Sequence, residues 1–262
     1  MSQSGSFLQN LLVLAAYGAS FTILRHSAAR WATHNLFSVW FPAAGLRFAF
    51  LWIVGARWAP AAALAELLVS VGAGTVTLTA PLPLSLLGVV GPCLVYGGVI
   101  GLVHARTRTR GTVEPDPVAF ATAAVVGPMA AGIASLPWAL PLAGARGTLN
   151  PSLLFSALLD FTLGDLLGIL ILSPPLLWLA HRLWRGRWSA KIRAAELYRC
   201  GELLMLLTFA WGLVWTLQRL GDGLVLAPVL LAACWCGLRG GRSAGWAAAL
   251  LTALLILPIT EY

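Results

Sequence analysis

The sequence predicts an all-α fold, a polytopic helical bundle that crosses a membrane about eight to nine times. Of the 262 residues, 59% are hydrophobic and only 10% are charged, and the mean hydropathy is +0.85. A water-soluble domain carries about a quarter charged residues to cover its surface. The 12 Trp residues agree with the membrane class, because indole rings concentrate at the membrane–water boundary. We therefore expect residues 1–262 to form a single membrane-embedded domain with no soluble domain.

Apolar runs of membrane-crossing length recur along the whole chain. A helix needs about 20 predominantly apolar residues to cross the hydrocarbon core. Nine runs approach this length, at residues 7–24, 38–56, 59–74, 83–104, 117–141, 151–181, 200–218, 223–238 and 241–259. Runs three and eight are short. Pro92, Pro137 and the pair Pro174-Pro175 fall inside runs, where the missing N–H donors predict a kink or an end of the helix.

The basic residues predict how the chain is oriented. If all nine runs cross, one face receives Arg57, Arg106, Arg108, Arg110, Arg182, Arg185, Arg187, Lys191, Arg193, Arg199, Arg239 and Arg242. The other face receives Arg25, Arg30, Arg146 and Arg219. The positive-inside rule then places the more basic face and the N-terminus in the cytoplasm, and Tyr262 outside. The net charge of +8 is explained by these loops, so we expect no nucleic-acid partner.

Metal and enzyme sites are not predicted. We expect four cysteines to be small buried side chains: Cys93, Cys200, Cys234 and Cys236. The four histidines fall near the ends of runs, at His26, His34, His104 and His181, and the last two are expected at the cytoplasmic basic rim. An intramembrane aspartyl protease needs aspartates on two facing helices, whereas both intramembrane aspartates here share one run. We expect no catalytic residues, no metal and no cofactor.

Charged residues inside the apolar runs are the candidate functional residues. Such groups are costly in hydrocarbon and mark function by default. Arg47 lies near the middle of run two, and Glu66 lies in run three, just beyond a tight turn at 57–60. The two runs must be neighbours with their charges at comparable depth, so an Arg47–Glu66 ion pair is predicted. A purely structural role for this pair is equally compatible with the sequence.

Run six carries Asp160 and Asp165. At 100° per residue the two carboxyls lie roughly 140° apart around a helix, so they cannot both face one partner. Arg47 is the only basic residue predicted deep in the membrane, so three acids compete for it. At least one acid is expected to be protonated, bonded to Ser or Thr, or exposed to a wet cavity. Gly164 and Gly168 have the small-xxx-small spacing that allows another helix to approach closely.

Three motifs together resemble a known family. They are Trp40-Phe-Pro-Ala-Ala-Gly45, then Leu163-Gly-Asp-Leu-Leu-Gly168 followed by Ser173-Pro174, then Pro228 through Leu238-Arg-Gly-Gly-Arg242. They resemble the first type of the MASE family, the membrane-associated sensor domains of bacteria. The positions that match the family pattern are Trp40, Pro42, Gly45, Gly164, Asp165, Gly168 and Pro174. Phe41 and Ser173 depart from it, where Pro and Ala are usual. Gly45-Leu-Arg47 with Glu66 further resembles the membrane half of the hexose-phosphate sensor histidine kinases.

The resemblance implies a sensory input for a histidine kinase or a cyclic-di-GMP enzyme. Arg47, Glu66, Asp160 and Asp165 are then the candidates for a ligand-binding or switch site in a polar pocket. The implied partners are the lipid bilayer, a small-molecule ligand or membrane protein, and a cytoplasmic output domain. The motifs end before such an output, so the chain is expected to be either part of a longer sensor or a module that signals through a partner. The alternatives are a small proton- or cation-coupled transporter and a structural scaffold that binds another protein.

Overall fold

Six helices account for almost all of the residues that the structure describes. The computed structural model describes residues 3–29, 41–74, 82–107, 116–145 and 151–184, and four helical residues of run seven, Met205, Thr208, Gly212 and Thr216. The helices are α1 (Gln3–Ala29), α2 (Pro42–Val54), α3 (Ala59–Gly72), α4 (Leu82–Thr107), α5 (Pro117–Ala145) and α6 (Pro151–Trp184). These ranges contain no strand. The predicted all-helical class is confirmed for this part of the chain.

Four helices in the described ranges are long and apolar enough to cross a membrane. The segments are Leu8–Ala28, Leu86–Thr107, Pro117–Leu136 and Phe161–His181. Their outer faces carry large apolar side chains; Leu102 on α4 is 65% exposed and Val118 on α5 is 72% exposed. Such surfaces are compatible with a membrane protein, because hydrocarbon rather than water can cover them. Runs eight and nine, and most of run seven, lie outside the described residues.

Helices α2 and α3 are shorter than runs two and three. They contain 13 and 14 residues, which is about 20 Å of helix each, against about 30 Å of hydrocarbon core. Pro42 starts α2 at a position where no helical N–H is needed. Gly55, with φ of 106°, ends α2 in a conformation that L side chains rarely adopt. A 3₁₀ turn, Ala56–Trp58, then leads directly into α3.

The core contains close contacts between small residues and a cluster of packed aromatic rings. Gly97 of α4 faces Ala59 so closely that an added Cβ would overlap the Ala59 side chain. Phe48 packs against Phe120 with 5.4 Å between ring centroids, and Trp52 packs against His104 at 4.5 Å. His104 lies with Arg106 in the last turn of α4, and its ring is buried against Trp52. The buried thiol of Cys93, with its Sγ 3.6 Å from the Ala59 carbonyl oxygen, agrees with its predicted packing role.

The prolines inside the runs do not end the helices. Helix α4 continues through Pro92, α5 through Pro137, and α6 through Pro174 and Pro175. The prediction that run six could end at the proline pair is therefore wrong. The chain divides into two compact units, Met1–Ser173 and Pro174–Tyr262, and the boundary falls at this pair. All residues of the site below belong to the first unit.

Candidate functional site

Arg47 and Glu66 form the predicted ion pair. The Arg47 Nε donates to Glu66 Oε1 and Nη2 donates to Oε2, both at 2.8 Å. Arg47 is 4% exposed and Glu66 is fully buried. The short connection between α2 and α3 brings the two side chains together, as the sequence indicates. A parallel, two-point contact of this kind is the strongest geometry available to a guanidinium and a carboxylate.

Glu66 has a third donor that the sequence analysis missed. The Tyr17 hydroxyl, on α1, donates to Glu66 Oε1 at 2.5 Å, and Tyr17 is buried. The signal was available, because a buried tyrosine hydroxyl usually finds a hydrogen-bond partner and Tyr17 lies within an apolar run. Glu66 is therefore bonded from both α1 and α2, and the three helices meet at one carboxylate.

The polar contacts continue along α1 and α3 to Arg25. Ser70 Oγ donates to the Glu66 backbone oxygen at 2.7 Å, and Arg25 Nη1 donates to Ser70 Oγ. The sequence analysis placed Arg25 in a loop after run one. That placement is wrong, since α1 continues to Ala29 and Arg25 is half-buried within it. Arg47 is therefore not the only basic side chain that enters the bundle.

Aromatic rings surround the Arg47 guanidinium. Its Cζ lies 5.7 Å from the centroid of Phe21 and 5.6 Å from that of Tyr96. Cation–π contacts at this distance contribute about 0.5–2 kcal/mol each, with the higher values in desolvated sites. The rings come from α1 and α4, so Arg47 connects α2 to these helices as well as to α3.

Asp165 is paired with Tyr96. The Tyr96 hydroxyl donates to Asp165 Oδ2 at 2.8 Å; Asp165 is 2% exposed and Tyr96 is fully buried. Of the two acids whose side chains are described, Glu66 receives the Arg47 hydrogen bonds and Asp165 accepts one from a tyrosine. Tyr96 lies between Arg47 and Asp165, since its ring faces Arg47 and its hydroxyl reaches Asp165. Asp160 lies on α6, and its side chain is outside the described residues.

The glycines of the two N-terminal motifs form a direct contact between α2 and α6. A Cβ on Gly45 would overlap the Gly168 carbonyl oxygen, and a Cβ on Gly168 would overlap the Phe41 carbonyl oxygen. Two hydrogen bonds accompany this contact. The Phe41 backbone N–H donates to the Gly164 oxygen at 3.1 Å, and Ser173 Oγ donates to the Gly45 oxygen at 2.8 Å. The close approach predicted from the Gly164/Gly168 spacing is confirmed, and α2 is the partner helix.

The two carboxyls are held with very different strength. Removing one partner of a buried, hydrogen-bonded ion pair costs about 3–5 kcal/mol, because the other charge is left unmatched. Interhelical hydrogen bonds within membranes average only about 0.6 kcal/mol and reach about 1.7 kcal/mol. Removing one partner of the Arg47–Glu66–Tyr17 group is therefore expected to cost more than removing the hydroxyl that bonds Asp165.

Other predicted elements are not part of this arrangement. Trp40 and the Pro228–Arg242 motif lie outside the described residues. Among the residues that are described, no three His, Cys, Asp or Glu side chains are grouped so that they could hold a metal ion. No protein-family model, curated protein or solved structure matches the chain.

Proposed function

We propose that the chain is the sensory input domain of a bacterial membrane signalling protein of the first MASE type. The observation that carries this proposal is the contact between the two motifs on which the resemblance rests. Pro42 and Gly45 on one side, and Gly164 and Gly168 on the other, pack backbone to backbone beside the buried Asp165. Residues that match a family pattern in two distant segments thus form a single site.

The domain acts by changing its helix packing. A ligand shifts an equilibrium between two packings only by the difference in its affinity for them. Buried polar contacts between helices are suitable elements for such a change, because they are either made or broken. A small molecule or a membrane protein that binds near Arg47, Glu66 and Asp165 would favour one packing. A histidine kinase or a cyclic-di-GMP enzyme, joined in cis or bound in trans, would read the change, and the chain itself would not be an enzyme.

The test compares signalling in strains that carry defined variants. Chromosomal replacement provides a deletion, the wild-type gene, Asp165→Ala and the control Arg57→Met, whose arginine is exposed on the turn between α2 and α3. The deletion and Asp165→Ala should alter the same transcripts or the same cyclic-di-GMP level, while Arg57→Met behaves as wild type. Immunoblots of the membrane fraction establish equal abundance. If Asp165→Ala at wild-type abundance leaves transcripts and cyclic-di-GMP unchanged, Asp165 has no role in sensing.

We infer that eight to nine segments cross a bacterial inner membrane with the N-terminus in the cytoplasm. The charge bias of the loops supports this orientation. Fusions of green fluorescent protein and alkaline phosphatase test it at Arg57, Arg108 and Arg146. The first two positions should give fluorescence and no phosphatase activity, and Arg146 should give the opposite. If Arg57 reports the same side as Arg146, the nine-span arrangement is wrong.

The Tyr96–Asp165 contact also supports a second candidate, a proton- or cation-coupled transporter. A buried carboxyl with one hydroxyl partner can accept and release a proton or a cation during transport. Proteoliposomes that contain a pH-sensitive dye and a potassium diffusion potential test this function. Proton influx that requires the wild-type protein and is lost in Asp165→Asn would favour the transporter over the sensor. The same influx in empty and loaded vesicles would count against it.

A further inference from the structure

We propose that the Tyr96–Asp165 hydrogen bond is a latch that holds residues 151–173 of α6 against the other helices of the first unit, and that this segment of α6 is the part that moves. In this arrangement the Arg47–Glu66–Tyr17 group is a fixed brace and does not take part in the switch. The existence of the latch does not depend on the sensory function proposed above, but its regulatory role does. Arg47 and Glu66 therefore differ in role from Asp165, although the sequence predicts a single pocket for all three.

The attachments of α6 differ in kind from those of α1, α2 and α3. Three single hydrogen bonds join residues 164–173 of α6 to α2 and α4, from Tyr96, from the Phe41 amide and from the Ser173 hydroxyl. By contrast, Arg47 and Glu66 form a bidentate ion pair with each other. Glu66 also accepts a hydrogen bond from the Tyr17 hydroxyl, and two aromatic rings contact Arg47. A ligand that changes an equilibrium by the usual five- to 150-fold can open contacts of the first kind but not of the second.

The packing of this segment against α2 favours movement as a whole. Helix α2 approaches it through Gly45, where an added Cβ would overlap the Gly168 carbonyl oxygen, whereas Gly132 of α5 faces the flexible side chain of Leu158, whose Cδ1 would lie 2.8 Å from an added Cβ. Contacts made by backbone and small residues have no long side chains that could stretch to follow a displacement. When Asp165 leaves Tyr96, the glycine contacts therefore open together with the hydrogen bonds.

Hydrogen–deuterium exchange of the purified full chain in lipid nanodiscs tests the latch. Tyr96→Phe deletes the hydroxyl that bonds Asp165, and Tyr17→Phe is the matched control, because it deletes an equally buried hydroxyl that bonds Glu66. In Tyr96→Phe, we expect amides of residues 161–173 to exchange roughly three- to tenfold faster, as the loss of one such hydrogen bond implies. Amides of residues 42–72 should keep their wild-type rates. In Tyr17→Phe, residues 161–173 should exchange as in wild type.

Two substitutions of the carboxyl complete the experiment. Asp165→Ala breaks the same bond from the other side and should reproduce Tyr96→Phe. Asp165→Asn keeps an oxygen acceptor for the hydroxyl and should keep α6 protected. Unchanged exchange of residues 161–173 in Tyr96→Phe, equal acceleration in Tyr17→Phe, or uniform acceleration of the whole chain would overturn the latch. So would failure of both Tyr96→Phe and Asp165→Ala to fold, because a latch must open without loss of the bundle.

The outcomes for the latch and for the sensory function are separable. If exchange in α6 accelerates as expected while the Asp165→Ala strain signals normally, the latch is real and the sensory role is wrong. If the strain loses signalling but α6 exchange is unchanged in Tyr96→Phe, the sensory role stands and the switch lies elsewhere.

Discussion

Replacing the buried ion pair by apolar side chains gives a sharp test of how the bundle is held together. Glu66→Leu leaves the Arg47 guanidinium buried without its carboxylate, and Arg47→Met leaves the Glu66 carboxylate buried without its cation. Each single change should lower the free energy of unfolding by about 3–5 kcal/mol. If the two effects were independent, the double variant would lose about 6–10 kcal/mol, twice the effect of breaking one buried pair.

The structure predicts a smaller loss for the double variant. Arg47→Met/Glu66→Leu removes both charges of the pair together, and the long, flexible Met fills the space between Phe21 and Tyr96. What remains is the loss of the cation–π contacts, about 0.5–2 kcal/mol each, and the stranded Tyr17 hydroxyl, about 1–3 kcal/mol. We therefore expect the double variant to be less stable than wild type by about 2–7 kcal/mol, against about 6–10 kcal/mol for independent effects. The triple variant with Tyr17→Phe should be more stable than the double variant by about 1–3 kcal/mol, because it removes the stranded hydroxyl.

Reversible unfolding in mixed micelles, with increasing fractions of a denaturing detergent, measures these free energies. Arg57→Met is the control, because it removes an exposed arginine from the neighbouring turn and should change stability by less than about 0.5 kcal/mol. Strict additivity of the two single effects would refute the reasoning, since it would mean that Arg47 and Glu66 contribute separately. A triple variant no more stable than the double would show that Tyr17 is not bonded to Glu66.

Two further predictions concern the contact between α2 and α6, which is formed by Phe41, Gly45, Gly164, Gly168 and Ser173 and is called the seam below. The same unfolding assay measures the effect of each change on stability. Gly168→Ala should cost about 1–3 kcal/mol, because the new Cβ would overlap the Phe41 carbonyl oxygen and backbone cannot yield as a side chain does. Gly98→Ala on α4, with no atom within 4 Å of the new Cβ, should leave stability unchanged or raise it. Ser173→Ala removes an interhelical hydrogen bond and should cost about 0.6–1.7 kcal/mol. Thr122→Ala, which removes an exposed hydrogen bond within α5, should have no measurable effect on stability. If Gly168→Ala cost no more than Gly98→Ala, and Ser173→Ala no more than Thr122→Ala, the seam would not contribute to stability.

Features that depend on local sequence could be predicted. Apolar runs at 83–104 and 117–141 correspond to α4 and α5 within a few residues, because backbone groups in hydrocarbon must bond within their own helix. The Arg47–Glu66 pair followed from a short connection, which leaves two neighbouring helices little freedom in relative depth. The close approach at Gly164 and Gly168 followed from their spacing on one helix face.

Features that depend on the rotation of a helix about its axis could not be predicted. Tyr96 and Asp165 are 69 positions apart, and whether they meet depends on which side of α4 faces α6. In a soluble helix an apolar stripe marks the buried face. Helix α4 is apolar all around, so its sequence does not distinguish the side that faces lipid from the side that faces protein. The same limit applies to Tyr17, and to the choice of Tyr rather than Ser or Thr as the partner of Asp165.

The seam between α2 and α6 explains why glycines flank the buried charges. Asp165, which bonds Tyr96 of α4, lies between Gly164 and Gly168 on α6, and a side chain at Gly45 or Gly168 would overlap backbone across the contact with α2. Closely apposed backbones cannot separate gradually while keeping their hydrogen bonds, so the seam is either closed or open. A closed seam places Asp165 beside the ring that also faces Arg47, and an open seam removes it. In the latch proposed above, the glycine motif and the buried carboxyl are therefore two parts of one contact that opens or closes as a whole.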